Sequence, residues 1–467
     1  MLAARWHNQS GHTMPTPPAR SGLLTDLYEL TMAAGYVQTG FEGRASFELF
    51  VRSLPPRRNF LVAAGLEQAL EFLQGLRFSA GEISYLREHP AFAAIDKKFF
   101  DYLVSFRFSG DVWAMPEGTL CFPGEPLLRV TAPIAEAQIV ETALLATVSF
   151  QTMVASKAAR SAEAAAGRPI VEFGSRRAHG IESGVLAARA AFIGGCRGTS
   201  NVEAGHRFGI PTYGTQAHSW IMAHETEEEA FSRFLDLFPR HSVLLVDTYD
   251  VRNALEKIIA MGRKPRGVRL DSGDLAADTI WTRKRLDEAG WGDVEIFASG
   301  DLDEHRIASL VAAGARIDTF GVGTSLSTSS DAPSLNVLYK LVEVERDGVI
   351  WEAAKLSAAK VTYPGRKQVY RASDSAGFYS GDSIALEDEP TLPGQPLLAP
   401  VMRGGQPLAP TAPLAEAQAR CREQIERLPA RLRELSPAAS PYPVGHSARL
   451  EKLLARVRAR IARTSPA

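Results

Sequence analysis

Between residues 168 and 323 short apolar runs alternate with helical stretches, and that rhythm leaves few folds open. The runs are "RPIVEF" (168–173), "IPTYG" (210–214), "SVLLVD" (242–247), "RGVRLD" (266–271), "VEIFAS" (294–299) and "IDTFGVG" (317–323). Helical patterns such as "DVRNALEKIIAMG" and "DLAADTIWTRKRLDEAG" separate several of them. Neighbouring parallel strands need a long crossover, and a helix supplies it. Six such units predict an α/β barrel more than an open sheet. Polar residues gather at or just after the strand ends: Arg176 and Arg177, His218, Asp247 and Asp250, Asp271 and Asp274, Ser299 to Asp301, Thr324 and Ser325. Parallel α/β folds assemble their sites at the carboxyl ends of strands, so the repeated coincidence points to one site there.

The flanks have other textures. From Leu23 to about Arg107 the pattern is mostly helical, opening on the capping-type Thr25 and Asp26, with "ASFELFVRSLP" alternating as a strand. "SGDVWAMPEGTLCFPGEPLLRVTAP" (109–133) reads as short strands broken by Pro-Glu-Gly and Pro-Gly turns. "IAEAQIVETALLATVSFQTMVASKAARSAEAAAG" is a long helical run ended by Gly167. After Pro333, "NVLYKLVEVERDGVIWEAAKLS" and "KQVYRA" alternate around an Asp-Gly turn, so a second β portion is expected to rejoin the first. The Arg- and Ala-rich end from Pro410 reads as a solvated, helical surface region. The expected division is an N-terminal arm (1–22), a helical and β-rich part (23–132), an α/β barrel (133–333), the second β-rich part (334–400) and a C-terminal helical region (401–467).

Composition excludes several function classes. A chain of 467 residues holds two or three domains, and 45% hydrophobic with 22% charged residues is ordinary for a soluble protein. A formal charge of −1 offers no electrostatic footprint for nucleic acid. Three separated cysteines, Cys121, Cys196 and Cys421, make neither a disulfide framework nor a cysteine zinc site, which fits a reducing cytoplasm. No apolar run reaches the ~18 residues of a membrane span, and the opening residues lack the apolar stretch of a signal peptide.

The strand-end residues indicate a ligand class. "FGVGTS" ends a strand in small residues, Gly323 among them, whose N–H groups can approach an anion, and the Thr324 and Ser325 hydroxyls add donors. No Gly-Lys-Ser/Thr follows, so it is not a Walker loop. Arg269 in "GVRLDSGD" points to the same centre; Asp271 and Asp274 suit ribose hydroxyls or a hydrated magnesium, or Asp274 only caps a helix. Phosphate cradles and hydroxyl-binding aspartates without a dinucleotide fingerprint indicate a phosphorylated sugar. His218 and His224 lie six positions apart, on different helix faces or ~20 Å apart on a strand, so spacing does not pair them.

"LLTDLYELTMAAGY", "EFGSRRAHG", "RGTSNVEAGHRFGIPTYGTQAHSW", "GVRLDSGDL", "FGVGTSL" and "KLSAAKVTYPGRKQVYR" resemble, in order, the signatures of nicotinate phosphoribosyltransferases from about Leu23 to Arg371. The resemblance implies the type II phosphoribosyltransferase fold: an irregular α/β barrel with a β-rich domain built from segments on both sides of it. It implies a homodimer with shared sites. It also implies the joining of nicotinate to 5-phosphoribosyl 1-diphosphate, giving nicotinate mononucleotide and diphosphate in NAD salvage. The reaction is ligase-type, with ATP hydrolysis coupled through a phosphohistidine and Mg2+ accompanying ATP and diphosphate.

Carried onto this chain, the resemblance makes Tyr28 a ring-stacking residue from the neighbouring subunit and Phe173 the aromatic on the ring's other face. Arg176 becomes a phosphate contact, Thr215 and Arg269 contacts to nicotinate, and Gly323 and Thr324 contacts to the phosphoribosyl donor. Asp247 and Asp271 match positions that hold ribose or magnesium, and His218 matches the phosphorylated histidine. His218, Arg269 and Asp271 are thus the expected catalytic set, while His179, His206 and His224 are expected on the surface or at helix caps. Ser200 stands in "GTS" where nicotinamide-using relatives carry an aspartate, which favours the acid over the amide. Nicotinamide or quinolinate as substrate, and a catalytically silent binding homologue, are the alternatives. The arm before Ser21 has no counterpart in the family, and the region beyond about Pro400 lacks the cysteine-rich segment of some longer relatives.

Overall fold

A computed structural model describes residues 19–357, 360–410 and 412–464. Most of the expected arm lies outside the described residues, as do two residues of "KLSAAKVTYPGRKQVYR". Arg20–Ser21, at the inner end of that arm, pair in parallel with Leu76–Arg77.

The alternating middle region makes six parallel strands: β1 (Ile170–Glu172), β2 (Gly198–Thr199), β3 (Val243–Leu245), β4 (Gly267–Leu270), β5 (Glu295–Ala298) and β6 (Thr319–Val322). They are hydrogen-bonded in the order β3-β4-β5-β6-β1-β2. Both faces of these strands are covered, so they read as continuous apolar runs.

The expected strand in "IPTYG" forms only a single parallel bridge, Thr199 to Thr212. Pro211 and the glycines around it leave this segment without a ladder, yet it completes the ring. The Tyr213 N–H donates to the Thr199 carbonyl at 2.9 Å, and the Gln216 N–H to the Val243 carbonyl at 3.5 Å. The Gln216 side chain accepts from the Leu245 N–H at 3.1 Å. The barrel therefore closes through one irregular segment rather than a seventh strand.

The β-rich domain is assembled from both sides of the barrel. Its seven-stranded sheet brings Arg44–Val51, Asp111–Ala114 and Pro126–Pro133 together with Val337–Arg346, Val349–Glu352, Ala399–Arg403 and Gln406–Pro407. Asp347 and Gly348 make the hairpin between Val337–Arg346 and Val349–Glu352, both with positive φ as the turn's twist demands. A four-stranded sheet adds Lys367–Ser373 and Tyr379–Leu386, flanked by Gln395–Pro396 and Val444–His446. The helical run after Pro133 is two helices, Ile134–Ile139 and Glu141–Ala164, broken at Val140.

The C-terminal region is not the solvated appendage its composition implied. Helix Leu414–Glu426 buries Ala417, Cys421 and Ile425 against the barrel core, and the Gln424 side chain accepts from the Leu120 N–H at 2.8 Å. Leu450, Leu453 and Val457 of helix Ala448–Thr464 join the β-rich core. Arginines on the outer face hid an apolar stripe at helical spacing. No helix among the described residues is long and apolar enough to cross a membrane.

Candidate active site

The carboxyl ends of the barrel strands surround a cleft of about 500 Å³. Phe173, Arg176, Ser200, Thr215, Arg269, Asp271, Gly323 and Thr324 all line it, joined by strand-end neighbours including Ser175, Arg177, Gln216 and Ser299 to Asp301. Two glycines let these loops meet. A Cβ on Gly300, whose φ is +94°, would sit 1.8 Å from the Asp271 carbonyl oxygen, and one on Gly321 would strike the Phe173 ring at 2.5 Å.

Arg269 is the hub. Its guanidinium donates to Ser299 Oγ at 2.7 Å, Thr215 Oγ1 at 2.8 Å and Asp271 Oδ1 at 2.6 Å. Its Cζ lies 5.8 Å from the centroid of the Phe173 ring. A planar fork with fixed donor directions is what three divergent acceptors require. Burial works against the Asp271 charge, but the Ser299 hydroxyl and the Arg269 guanidinium outweigh it and hold the carboxyl below the ordinary aspartate range. Asp271 therefore stays ionised in the cleft.

Asp247 lies just behind. Its Oδ2 accepts from the Asp271 N–H at 2.9 Å and from Ser272 Oγ at 2.6 Å, while its Oδ1 is buried without a hydrogen-bond partner. His218 opens the short helix His218–Met222, with Nε2 3.9 Å from Asp271 Oδ2 and Nδ1 3.1 Å from Thr248 Oγ1. His224 is turned away: Nδ1 donates to the Trp220 carbonyl at 2.7 Å, and the ring lies against Trp220. Asp250 and Asp274 cap helices Val251–Ala260 and Leu275–Glu288. Among the described residues no group of three or more His, Cys, Asp or Glu could hold a metal ion.

Tyr28 is not among the residues lining the cleft. It lies in the first turn of helix Leu27–Gln38 in the β-rich part and is 46% exposed, with Leu24, Leu27 and Met32 also exposed. Sequence reasoning passed over Glu172, Thr199, Thr248 and Gln216. Glu172 reads as one more strand residue, and only its position directly before Phe173 gave a signal.

Three family profiles match in succession: the nicotinate phosphoribosyltransferase N-terminal domain over residues 23–149, the nicotinate phosphoribosyltransferase family over 169–378, and the C-terminal domain over 393–454. Nicotinate phosphoribosyltransferase pncB2 of Mycobacterium tuberculosis (strain H37Rv) is 46% identical over 443 residues, 93% of this chain and 94% of that one. The chain belongs to the nicotinate phosphoribosyltransferase family. The Bacillus subtilis nicotinate phosphoribosyltransferase is 45% identical over 79% of this chain and 76% of its own. The crystal structure of human nicotinic acid phosphoribosyltransferase superposes with a TM-score of 0.80 at 30% identity, covering 93% of this chain and 100% of that one. A nicotinate-nucleotide pyrophosphorylase from Pyrococcus furiosus gives 0.71 at 26% identity, covering 87% and 95%. These neighbours share the irregular barrel and the β-rich domain, which makes the fold that of the type II phosphoribosyltransferases.

Proposed function

We infer that this chain joins nicotinate to 5-phosphoribosyl 1-diphosphate in NAD salvage, giving nicotinate mononucleotide and diphosphate with ATP hydrolysis coupled to the reaction. The observation that carries the reading is the Arg269 hub. It sets a fixed cation beside an aromatic face and two hydroxyls, in a cleft that Gly323 and Thr324 also line. The fork and the ring face suit a planar ring bearing a carboxylate; the small residues and hydroxyl of Gly323 and Thr324 suit a phosphorylated sugar.

In this reading Phe173 covers one ring face, while Thr215 and Ser200 donate to the carboxylate near Arg269. The pyridine nitrogen attacks the anomeric carbon as the bond to diphosphate breaks. Ionised Asp271 lies where it can steady the ribose hydroxyls and the positive charge that develops at that carbon. Arg176, Gly323 and Thr324 hold the phosphates.

Asp247 Oδ1, orphaned and buried, and the Asp271 carboxylate are the oxygen donors that would hold a Mg2+ brought in with the substrate. There it would neutralise the diphosphate charge.

His218 is the phosphoryl acceptor. With its proton on Nδ1 and donated to Thr248, Nε2 offers a lone pair beside Asp271, which stabilises the ring charge as the P–N bond forms. The leaving ADP oxygen takes the electron pair of the broken P–O bond, and water later releases the phosphoryl group.

The reading includes a cytoplasmic homodimer. The exposed strip of Leu24, Leu27, Tyr28 and Met32 is the surface a second copy would cover, bringing Tyr28 to the partner's ring site. The test is diphosphate release with nicotinate, nicotinamide and quinolinate, each with and without ATP. Release with nicotinate, increased by ATP, is expected; release with quinolinate or nicotinamide alone overturns the assignment.

A further inference from the structure

The ring end of the cleft is built by two loops that follow neighbouring strands, one carrying Phe173 and Ser175 after β1, the other Ser200 and Asn201 after β2. Beneath both lies Glu172, 0% exposed. Its Oε2 accepts from Thr199 Oγ1 at 2.6 Å, and its Oε1 accepts from the Gly174 N–H. Its own carbonyl accepts from the Ser200 N–H at 2.9 Å. The circuit continues above: Thr199 Oγ1 accepts from the Asn201 N–H at 2.9 Å, and Asn201 Nδ2 donates to Ser175 Oγ at 3.0 Å. One carboxyl thus closes a ring of hydrogen bonds spanning the two loops.

Glu172 makes no ion pair among the described residues, and a buried acid without one is an expensive way to fill space, since an apolar side chain of like size would pack there at lower cost. Burial pushes the Glu172 carboxyl up, against the opposing pull of Thr199 and Gly174. What an apolar side chain lacks is two acceptors that converge on donors from two different strand ends. Gly174 follows Phe173, and Thr199 precedes Ser200. We propose that Glu172 is a positioning residue that fixes the spacing between Phe173, which covers one face of the pyridine ring, and Ser200, which donates to its carboxylate. It touches neither substrate and acts only through Gly174 and Thr199. The proposal rests on the functional reading above.

Gly174 packs against Gly323, so it is the Thr199 arm whose removal predicts an effect confined to the pyridine substrate. Thr199→Val keeps the side-chain shape but removes the hydroxyl, freeing the Ser200 loop while leaving the phosphate wall at Gly323 and Thr324 untouched. Its KM for nicotinate should rise about tenfold, with kcat within about twofold and the donor KM unchanged. Glu172→Gln can still accept from Gly174 through its amide oxygen and donate to Thr199 through its nitrogen, so it should stay within about threefold of wild type. Glu172→Ala loses both arms and should exceed Thr199→Val in its nicotinate KM.

The experiment is steady-state diphosphate release for the four proteins, with nicotinate and donor varied in turn and thermal unfolding recorded alongside. If Glu172→Ala does not fold, Thr199→Val and Glu172→Gln decide. The proposal is overturned if Thr199→Val lowers kcat or raises both KM values in parallel, or if Glu172→Gln is as impaired as Glu172→Ala. A wild type that releases diphosphate with no pyridine overturns the functional reading instead.

Discussion

Replacing Arg269 with lysine keeps the cation and removes the fork, which isolates what the geometry contributes. Arg269 serves three acceptors in different directions, Ser299 Oγ, Thr215 Oγ1 and Asp271 Oδ1, with only 14% of its side chain exposed. A single ammonium on a flexible stem cannot reach all three. It will stay with Asp271, where the charge lies, and lose the hold on Thr215 at the ring end. One lost hydrogen bond to a charged group is worth about 1.5 to 3 kcal/mol, which corresponds to roughly a 10- to 140-fold fall in kcat/KM for nicotinate.

Arg269→Ala should do more, because it also leaves Asp271 unpaired. In the wild type the folded Asp271 pKa lies below the unfolded value of about 3.9, so its contribution to stability is full at neutral pH and fades as pH falls through the depressed value. With the guanidinium gone that contribution shrinks, and the acid limb of the stability curve should move to higher pH. Steady-state diphosphate release and chemical denaturation between neutral and acid pH measure both effects. Arg269→Lys kinetics within twofold of wild type would refute the reasoning, since the fork would then have no role.

Three further outcomes follow from the same site. His218→Ala should abolish ATP hydrolysis and the acid-labile phosphate formed with ATP, leaving a slow ATP-independent synthesis, whereas His224→Ala, held by Trp220, should leave both intact; label that survives loss of His218 and vanishes with His224 reverses the choice. In the proposed site Ser200→Asp would set a carboxylate beside the substrate's own and should weaken nicotinate use by at least ~10-fold, ~1.4 kcal/mol, read from kcat/KM. Tyr28→Ala and Arg269→Ala should each lose activity, and mixed dimers formed by subunit exchange should regain one intact site of two; exchange without recovery means Tyr28 serves its own subunit.

The amino-acid sequence alone determined the repeating unit of this fold and most of one wall of residues. A run such as "GVRLDSGD" fixes a buried strand by its apolar residues, and fixes the placing of Arg269 and Asp271 by where that run stops. Strand ends in a parallel barrel share one face, so residues distant in sequence are assigned to one cleft by their place at the ends of apolar runs. What the sequence did not disclose depends on directions rather than order. "IPTYG" carries strand-like residues, but only the assembled barrel decides that Gln216 closes it with a side chain. The C-terminal arginines masked a buried stripe because composition averages over faces that packing separates. Glu172 is one acid among many in the chain; its convergence on Thr199 and Gly174 exists only once β1 and β2 lie side by side. Hydrogen-bond geometry between loops is set by the tertiary arrangement, and no local pattern encodes it.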